Sequence, residues 1–288
     1  MTNRIRPLSY DAFKHLMSAR DQETHKGDFG HVFVVGGDQG YGGAALMAAE
    51  AAARTGAGLT SVATHPAHAT HFLSHRPELM VRGVITAADM KLHAARATVM
   101  VLGPGLGRSE WSKMVMTTAL EIAAEQHLPI ILDADALNWI SEDENLLGPD
   151  VSLKRILTPH PGEAARLLGI TTGEVNANRQ HAVRELQHKF GGVAVLKGAG
   201  TLVCYVHEGR QQVETCVHGN PGMASGGMGD VLSGVLAGLV AQHYSLAVSA
   251  RIGVCIHSKA ADLAAQAGGQ RGLLASDLFP HIRRLVNP

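Results

Sequence analysis

The sequence predicts an α/β fold in which a mostly parallel central sheet is flanked by helices on both faces, with a late antiparallel hairpin. Three observations carry this. Short runs rich in β-branched residues end in glycine, aspartate or histidine, helical stretches separate them, and the alternation gives way to a hairpin after Gly198. The first run, residues 32–37, precedes the Ala-rich stretch GGAALMAAEAAARTGAG, closed by Gly56 and Gly58. Further runs stand at residues 59–64, at 98–103 before a helix around 114–126, and at 129–134, 155–160 and 192–198. Such alternation indicates βαβ units whose parallel sheet is covered on both sides. TLVCYV and QQVETCV, separated by HEGR, read as the hairpin. The remainder is helical, at residues 230–242, at 245–267 and from Ser276 onward.

A length of 288 residues fits one large α/β domain, and no linker, repeat or charge block divides it, so residues 1–288 are expected to form a single domain. An apolar share of 45% against 17% charged supplies a sizeable core. The 25 Lys and Arg balance 25 Asp and Glu, and a net charge of +0 gives no basic footprint for a nucleic-acid partner. The opening MTNRIRPLSYDAF lacks the apolar core of a signal peptide. No apolar run approaches the roughly 20 residues that cross a bilayer, so a cytoplasmic protein without a membrane partner is expected. Cys204, Cys216 and Cys255 show no CxxC spacing and read as small apolar fillers, and the 17 histidines form no HExxH.

Ligands of open parallel sheets gather beyond the carboxyl ends of strands, where this chain places its unusual residues. GGDQGYGGAA lacks the GxGxxG spacing and the Lys-Ser or Lys-Thr of a Walker A loop. It is either a tight strand-to-helix turn or a backbone that a flat ligand approaches closely, and LGPGLG shares that ambiguity. Asp133 or Asp135 either binds magnesium through water or caps the short helix that follows, with capping expected of at least one. His160, flanked by prolines, is expected to be held for contact, and Glu163 suits the dipole of the next helix. The segment Lys197, Gly198, Ala199, Gly200, Thr201 offers a cation, open backbone and a hydroxyl to phosphate or ribose. Strongest is GNPGMASGGMGDVLSG, an extended, flexible loop running into a helix that begins at Asp230. Successive N–H groups at a helix start form an anion site. Asp230 there is a cap or, because a carboxylate beside phosphate is electrostatically costly, a proton acceptor.

The pieces HKGDFGHVFVVGG, GGAAL with RTGAGL, LGPGLG, ILDADALN, LTPHPGE, VLKGAGT and GNPGMASGGMGDVLSG run in order from His25 to Gly234 and resemble the NAD(P)H-hydrate dehydratase family of the ribokinase-like superfamily. Ser225 departs from the expected threonine but keeps the hydroxyl. The resemblance implies a ribokinase-like fold and a lyase of nicotinamide nucleotide repair. The S-form of NAD(P)H hydrate is phosphorylated on its ring hydroxyl by ADP, phosphate is eliminated, and NAD(P)H returns with AMP. Hydroxide leaves poorly, its conjugate acid having a pKa of about 15.7, whereas phosphate, with a second pKa of ~6, leaves readily. On matching positions, the resemblance implies Asp230 as base and substrate contact, and Gly227, Met228 and Gly229 as an anion hole. It implies Lys197, Gly198, Ala199, Gly200, Thr201 and Gly229 as nucleotide-binding residues, and Ala44, Gly107 and His160 as hydrate-binding ones. Asp133 and Asn138 are implied as supporting members. Mg2+ is implied as phosphate counterion without an assigned protein ligand, and the assembly as a tetramer. The chain lacks room for the epimerase domain that some relatives carry, so a separate NAD(P)H-hydrate epimerase is the expected functional partner. Two other readings remain open: a vitamin-precursor kinase of the same superfamily, which releases a stable phosphorylated product, and a non-catalytic dinucleotide sensor. Replacing Lys197 by Ala is expected to weaken nucleotide affinity alone.

Overall fold

The computed structural model describes residues 5–147 and 154–288; the first four residues of the opening stretch lie outside them. The chain runs β1 (Arg6–Leu8), β2 (His31–Val35), α1 (Gly42–Thr55), β3 (Leu59–Thr64), α2 (Ala69–His75), β4 (Met80–Gly83), α3 (Ala87–Ala94), β5 (Val99–Leu102) and α4 (Glu110–Glu125). It continues through β6 (Ile130–Leu132), α5 (Asp135–Glu142), β7 (Arg155–Leu157), α6 (Pro161–Leu168), α7 (Thr172–Ala177), α8 (Arg179–Phe190) and β8 (Val193–Leu196). The hairpin β9 (Leu202–His207) and β10 (Arg210–Cys216) then leads to α9 (Met228–Ala241), α10 (Leu246–Gly268) and α11 (Leu278–Leu285). One sheet holds the strands in the order β1-β10-β9-β8-β7-β6-β5-β2-β3-β4. Only β9 runs against its neighbours.

The alternation within each strand explains why helices cover both faces. Val32 and Val34 of β2 join one core with α1, α9, α10 and α11, while Phe33 and Val35 join a second core with α3, α4, α5, α6 and α8. Strands buried on both sides read as continuous apolar runs, which is why β2, β3, β5, β6, β7 and β8 were legible. Two strands were not. β1 is three residues, RPL, and forms only by lying parallel to the outer edge of the hairpin; β4 is MVRG, with an exposed Met80 and a charged Arg82. All three cysteines are buried, as the filler reading expects. No helix among the described residues is long and apolar enough to cross a membrane.

The chain leaves β2 toward β3 and β4, then returns to the other side of β2 with β5. The strand order therefore reverses between β2 and β5, the place where such sheets bind ligands. Backbones converge there. A Cβ on Gly36 would stand 2.1 Å from the Pro104 carbonyl oxygen, and one on Gly103 1.8 Å from that of Asp133. Gly36 and Gly103 are thus required by neighbouring backbone, whereas Gly40 and Gly43 face open space.

α1 and α9 pack side by side with their N-termini at this end of the sheet. A Cβ on Gly234 would meet the Ala48 carbonyl oxygen at 2.1 Å, and one on Gly238 the Ala52 oxygen at 2.8 Å. Because that oxygen is backbone, Gly234→Ala has to separate two buried helices. Overpacking of this kind costs about 1–3 kcal/mol, and a main-chain clash belongs at the upper end, above the ~1 kcal/mol by which alanine favours a helix over glycine. The expected result is a lower urea midpoint with an unchanged denaturant slope.

Candidate active site

Four elements deliver one cation and three carboxylates to a single point. Lys197 leaves the end of β8, Asp133 the end of β6, Glu163 the first turn of α6 and Asp230 the first turn of α9. Lys197 Nζ stands 2.6 Å from Asp133 Oδ1 and 3.8 Å from Glu163 Oε2. Ser233 Oγ, one turn along α9 from Asp230, donates to Asp133 Oδ2 at 2.7 Å. A Cβ on Gly229 would lie 3.1 Å from Lys197 Nζ and 3.5 Å from Asp133 Oδ2. Only glycine lets the start of α9 come this close.

One ammonium cannot neutralise three carboxylates, and the protonation states divide accordingly. Burial pushes the Asp133 carboxyl upward, but the charge of Lys197 and the hydrogen bonds from Lys197 and Ser233 hold it below its ordinary value. Burial depresses Lys197, yet Asp133 and Glu163 keep it above its ordinary value. Asp230 rises to about 7, first by burial and then by repulsion from Asp133, which the pull of Lys197 does not offset. Glu163 also rises to about 7, chiefly by burial.

The helix starts revise several sequence expectations. α9 begins at Met228 with left-handed Gly227 as its cap, so Asp230 lies inside the first turn and caps nothing. Asp133 and Asp135 do not cap α5 either, since that position belongs to Ala134 and has no side-chain bond. Asp133 is instead the counter-ion of Lys197, and Asp135 accepts the Gly107 N–H at 2.8 Å. His160 does cap α6: Nδ1 accepts from Gly162 and Glu163 at 3.0 and 3.3 Å, while Glu163 Oε2 accepts the His160 N–H at 2.7 Å. An acceptor Nδ1 places the ring proton on Nε2, and burial lowers the imidazole pKa, so the ring is a neutral donor at the rim.

The loop entering α9, expected to be flexible, is tied to α10. Asp262 accepts from Gly219 N–H at 3.1 Å and Asn220 Nδ2 at 3.0 Å, and Asn220 Oδ1 accepts from Gly222 N–H at 3.0 Å. The segment after Lys197 is braced by Arg179, which donates to the carbonyls of Leu196, Lys197 and Ala199. Thr201 Oγ1 closes this turn on Gly198 O at 3.1 Å. Ala44 and Gly107 stand at the other wall, where a Cβ on Gly105 between them would touch Ala44 Cβ at 3.1 Å. Asn138 connects this wall to α6, accepting from Arg166 Nε at 3.1 Å and donating to Asp135 at 3.3 Å.

A family model described as NAD(P)H-hydrate dehydratase matches residues 32–284. The chain belongs to the NAD(P)H-hydrate dehydratase family. It is 53% identical over 98% of its length to a bifunctional NAD(P)H-hydrate repair enzyme of Coxiella burnetii, of which it covers 56%. It thus spans about half the length of the bifunctional relatives it matches, with 53% of the Escherichia coli enzyme covered at 43% identity. An ADP-dependent (S)-NAD(P)H-hydrate dehydratase of Neisseria meningitidis is 37% identical over 96% of this chain and 91% of that protein. Among solved structures, the ADP/ATP-dependent NAD(P)H-hydrate dehydratase of Bacillus subtilis, co-crystallised with ATP and Mg2+, superposes with a TM-score of 0.84 at 26% identity over 99% of this chain and 98% of that one. Arabidopsis thaliana ribokinase, at 14% identity and a TM-score of 0.62, shares the ribokinase-like fold.

Within this family frame, Glu163, Ser233, Asp262 and Arg179 are site residues that sequence reasoning passed over. Glu163 was visible only as a helix-dipole carboxylate; its burial depends on β6 and β8 lying either side of β7. Lys197 needs correction in the other sense. Its ammonium is committed to a carboxylate that is 1% exposed, so its removal is not a matter of nucleotide affinity alone. Lys197→Met leaves Asp133 as an unpaired buried charge, and breaking such a pair costs about 3–5 kcal/mol. Thermal unfolding is expected to show this loss, and Lys197→Met combined with Asp133→Asn is expected to recover part of it.

Proposed function

We propose that this chain dehydrates the S-form of NAD(P)H hydrate with ADP as phosphoryl donor, releasing NAD(P)H, AMP and phosphate. The observation that carries the reading is Asp230, a carboxyl group raised to about 7 beside the N–H groups of Gly227, Met228 and Gly229. A base poised near the working pH takes a hydroxyl proton with the best balance of driving force and correct protonation state. As the ring oxygen attacks the β-phosphorus of ADP, its proton passes to Asp230, the P–O bond to AMP breaks, and the α9 amides face the charge on the phosphoryl oxygens. The ring nitrogen lone pair then expels phosphate, and loss of a proton from the adjacent carbon restores the dihydronicotinamide.

Mg2+ suits the donor set. Among the described residues no three His, Cys, Asp or Glu side chains are grouped to hold a metal alone. Glu163 and Asp230 are hard oxygen donors of the kind Mg2+ accepts through water while it keeps phosphate oxygens as ligands. When bound with ADP, the ion neutralises charge on the phosphates. Lys197 through Thr201 are proposed to hold the nucleotide, and Ala44, Gly107 and His160 the hydrate. We place the protein in the cytoplasm as a homotetramer.

Incubation with hydrated NADH, ADP and Mg2+ is expected to restore the dihydronicotinamide absorbance. A stable phosphorylated product without restored dinucleotide would assign the chain to the vitamin-precursor kinases instead. Asp230→Asn is expected to lower turnover by about 100- to 10,000-fold, as loss of a general base does. The folded protein favours protonated Asp230, so the wild-type carboxyl supports stability fully below its unfolded pKa and loses that support as pH rises through about 7. Asp230→Asn is therefore expected to raise Tm most at about pH 8.5, by less at about pH 5, and hardly at all near the ordinary carboxyl value of 3.8. Turnover of the wild type should rise with pH through about 7, the value to which Asp230 is pushed. A flat profile across that range excludes Asp230 as the base.

A further inference from the structure

We propose that the Ser225 hydroxyl is a further catalytic group, donating a hydrogen bond to the phosphoryl group as it is transferred. The proposal rests on the reading above for the identity of the reaction and on the structure for the residue. Ser225 Oγ is buried and has no hydrogen-bond partner among the described residues. Such orphans are rare in native proteins, because a buried hydroxyl without a partner loses its bonds to water and gains nothing in return. This one stands two residues before the cap of α9. The turn after it is fixed: Gly227 is left-handed at φ 88, and a Cβ there would meet Met47 Sδ at 2.5 Å. The loop before it is fixed as well, by Asp262 and Asn220. Between these anchors the space beside Gly226 is open, with nothing within 4 Å of where its Cβ would be. A second orphan lies against the same helix start. The imidazole of His257 on α10 is 5% exposed, is in hydrogen-bonding contact with the Met228 backbone, and leaves Nε2 unpaired.

The chemistry selects the ligand. A serine hydroxyl is neutral and can donate, whereas the oxygens of a phosphoryl group in flight only accept. Asp230 occupies the same helix turn as a carboxylate, so a donor without charge adds stabilisation to the phosphoryl oxygens without neutralising the base. Ser225 stands two residues before the helix start that carries the N–H groups of Gly227, Met228 and Gly229, and the charge a donor meets there is largest in the transition state.

The test exploits opposite signs for stability and rate. Ser225→Ala removes a hydroxyl that makes no bond in the free protein, so Tm is expected to stay level or rise. With hydrated NADH, ADP and Mg2+, kcat is expected to fall by about 10- to 100-fold, the range for a lost donor to a charged oxygen. ADP affinity by calorimetry is expected to change by less than about threefold, because the bond forms as the phosphoryl moves. Ser225→Thr keeps the hydroxyl and is expected to hold kcat near the wild type. Orthovanadate with AMP imitates a phosphoryl group in transfer and supplies a readout that does not depend on the hydrate being the substrate. Its affinity is expected to drop by about tenfold in Ser225→Ala. If the wild type fails to turn over the hydrate, the functional reading falls, and the vanadate comparison still decides the role of Ser225. Ser225→Ala with wild-type kcat and wild-type vanadate affinity overturns the proposal, as does a loss of rate that Ser225→Thr does not restore.

Discussion

The ion pair between Lys197 and Asp133 is the constraint on which the rest of the site depends. It joins the ends of β6 and β8 across β7, and Ser233 binds the same carboxylate to α9. Its electrostatic effect reaches further than its geometry. Because the ammonium is spent on Asp133, the carboxyl groups of Glu163 and Asp230 sit buried without full compensation, and both move toward neutrality. A second cation here would lower Asp230 and make it a poorer base. Burial, and after it the excess of carboxylates over cations, therefore sets the proton affinity of Asp230.

Much of this was legible along the chain, for identifiable reasons. Strands buried on both faces leave uninterrupted apolar runs, and their ends are marked by residues that no core requires, so the sheet and its active edge could be read together. The loop with four glycines before Asp230 announced itself because capping alone does not call for them. What escaped was pairwise and distant. Lys197 and Asp133 are 64 positions apart, and nothing local in KGAGT or DADALN says that one neutralises the other. The cap reading of Asp230 stayed open until the helix was seen to begin at Met228. β1 and β4 escaped because their few residues carry no alternation, and each exists by pairing with a strand already in place.

The glycine-rich loops show how one sequence feature answers two demands. Gly36 and Gly103 admit the backbones of neighbouring strands, while Gly229 admits a lysine and an aspartate. The first pair builds the edge of the sheet where the strand order reverses. The last brings the N-terminus of α9 against the charged cluster. The sequence left the first two open between a tight turn and a ligand's approach; the packing shows that the fold itself demands them.

The close seating of α1 against α9 also determines how this part of the molecule can move. The backbone contacts advance in step, Ala48 by Gly234 and Ala52 by Gly238, so the two helices run parallel and locked at main-chain distance. α1 carries Ala44 on its first turn and α9 carries Asp230 on its own. The pair thus acts as a ruler, fixing the spacing between Ala44 and Asp230. Sliding of one helix past the other is denied by interlocked backbone, so movement at this end of the sheet is left to the loops, and the separation of the two helix starts is built into the rigid part of the molecule.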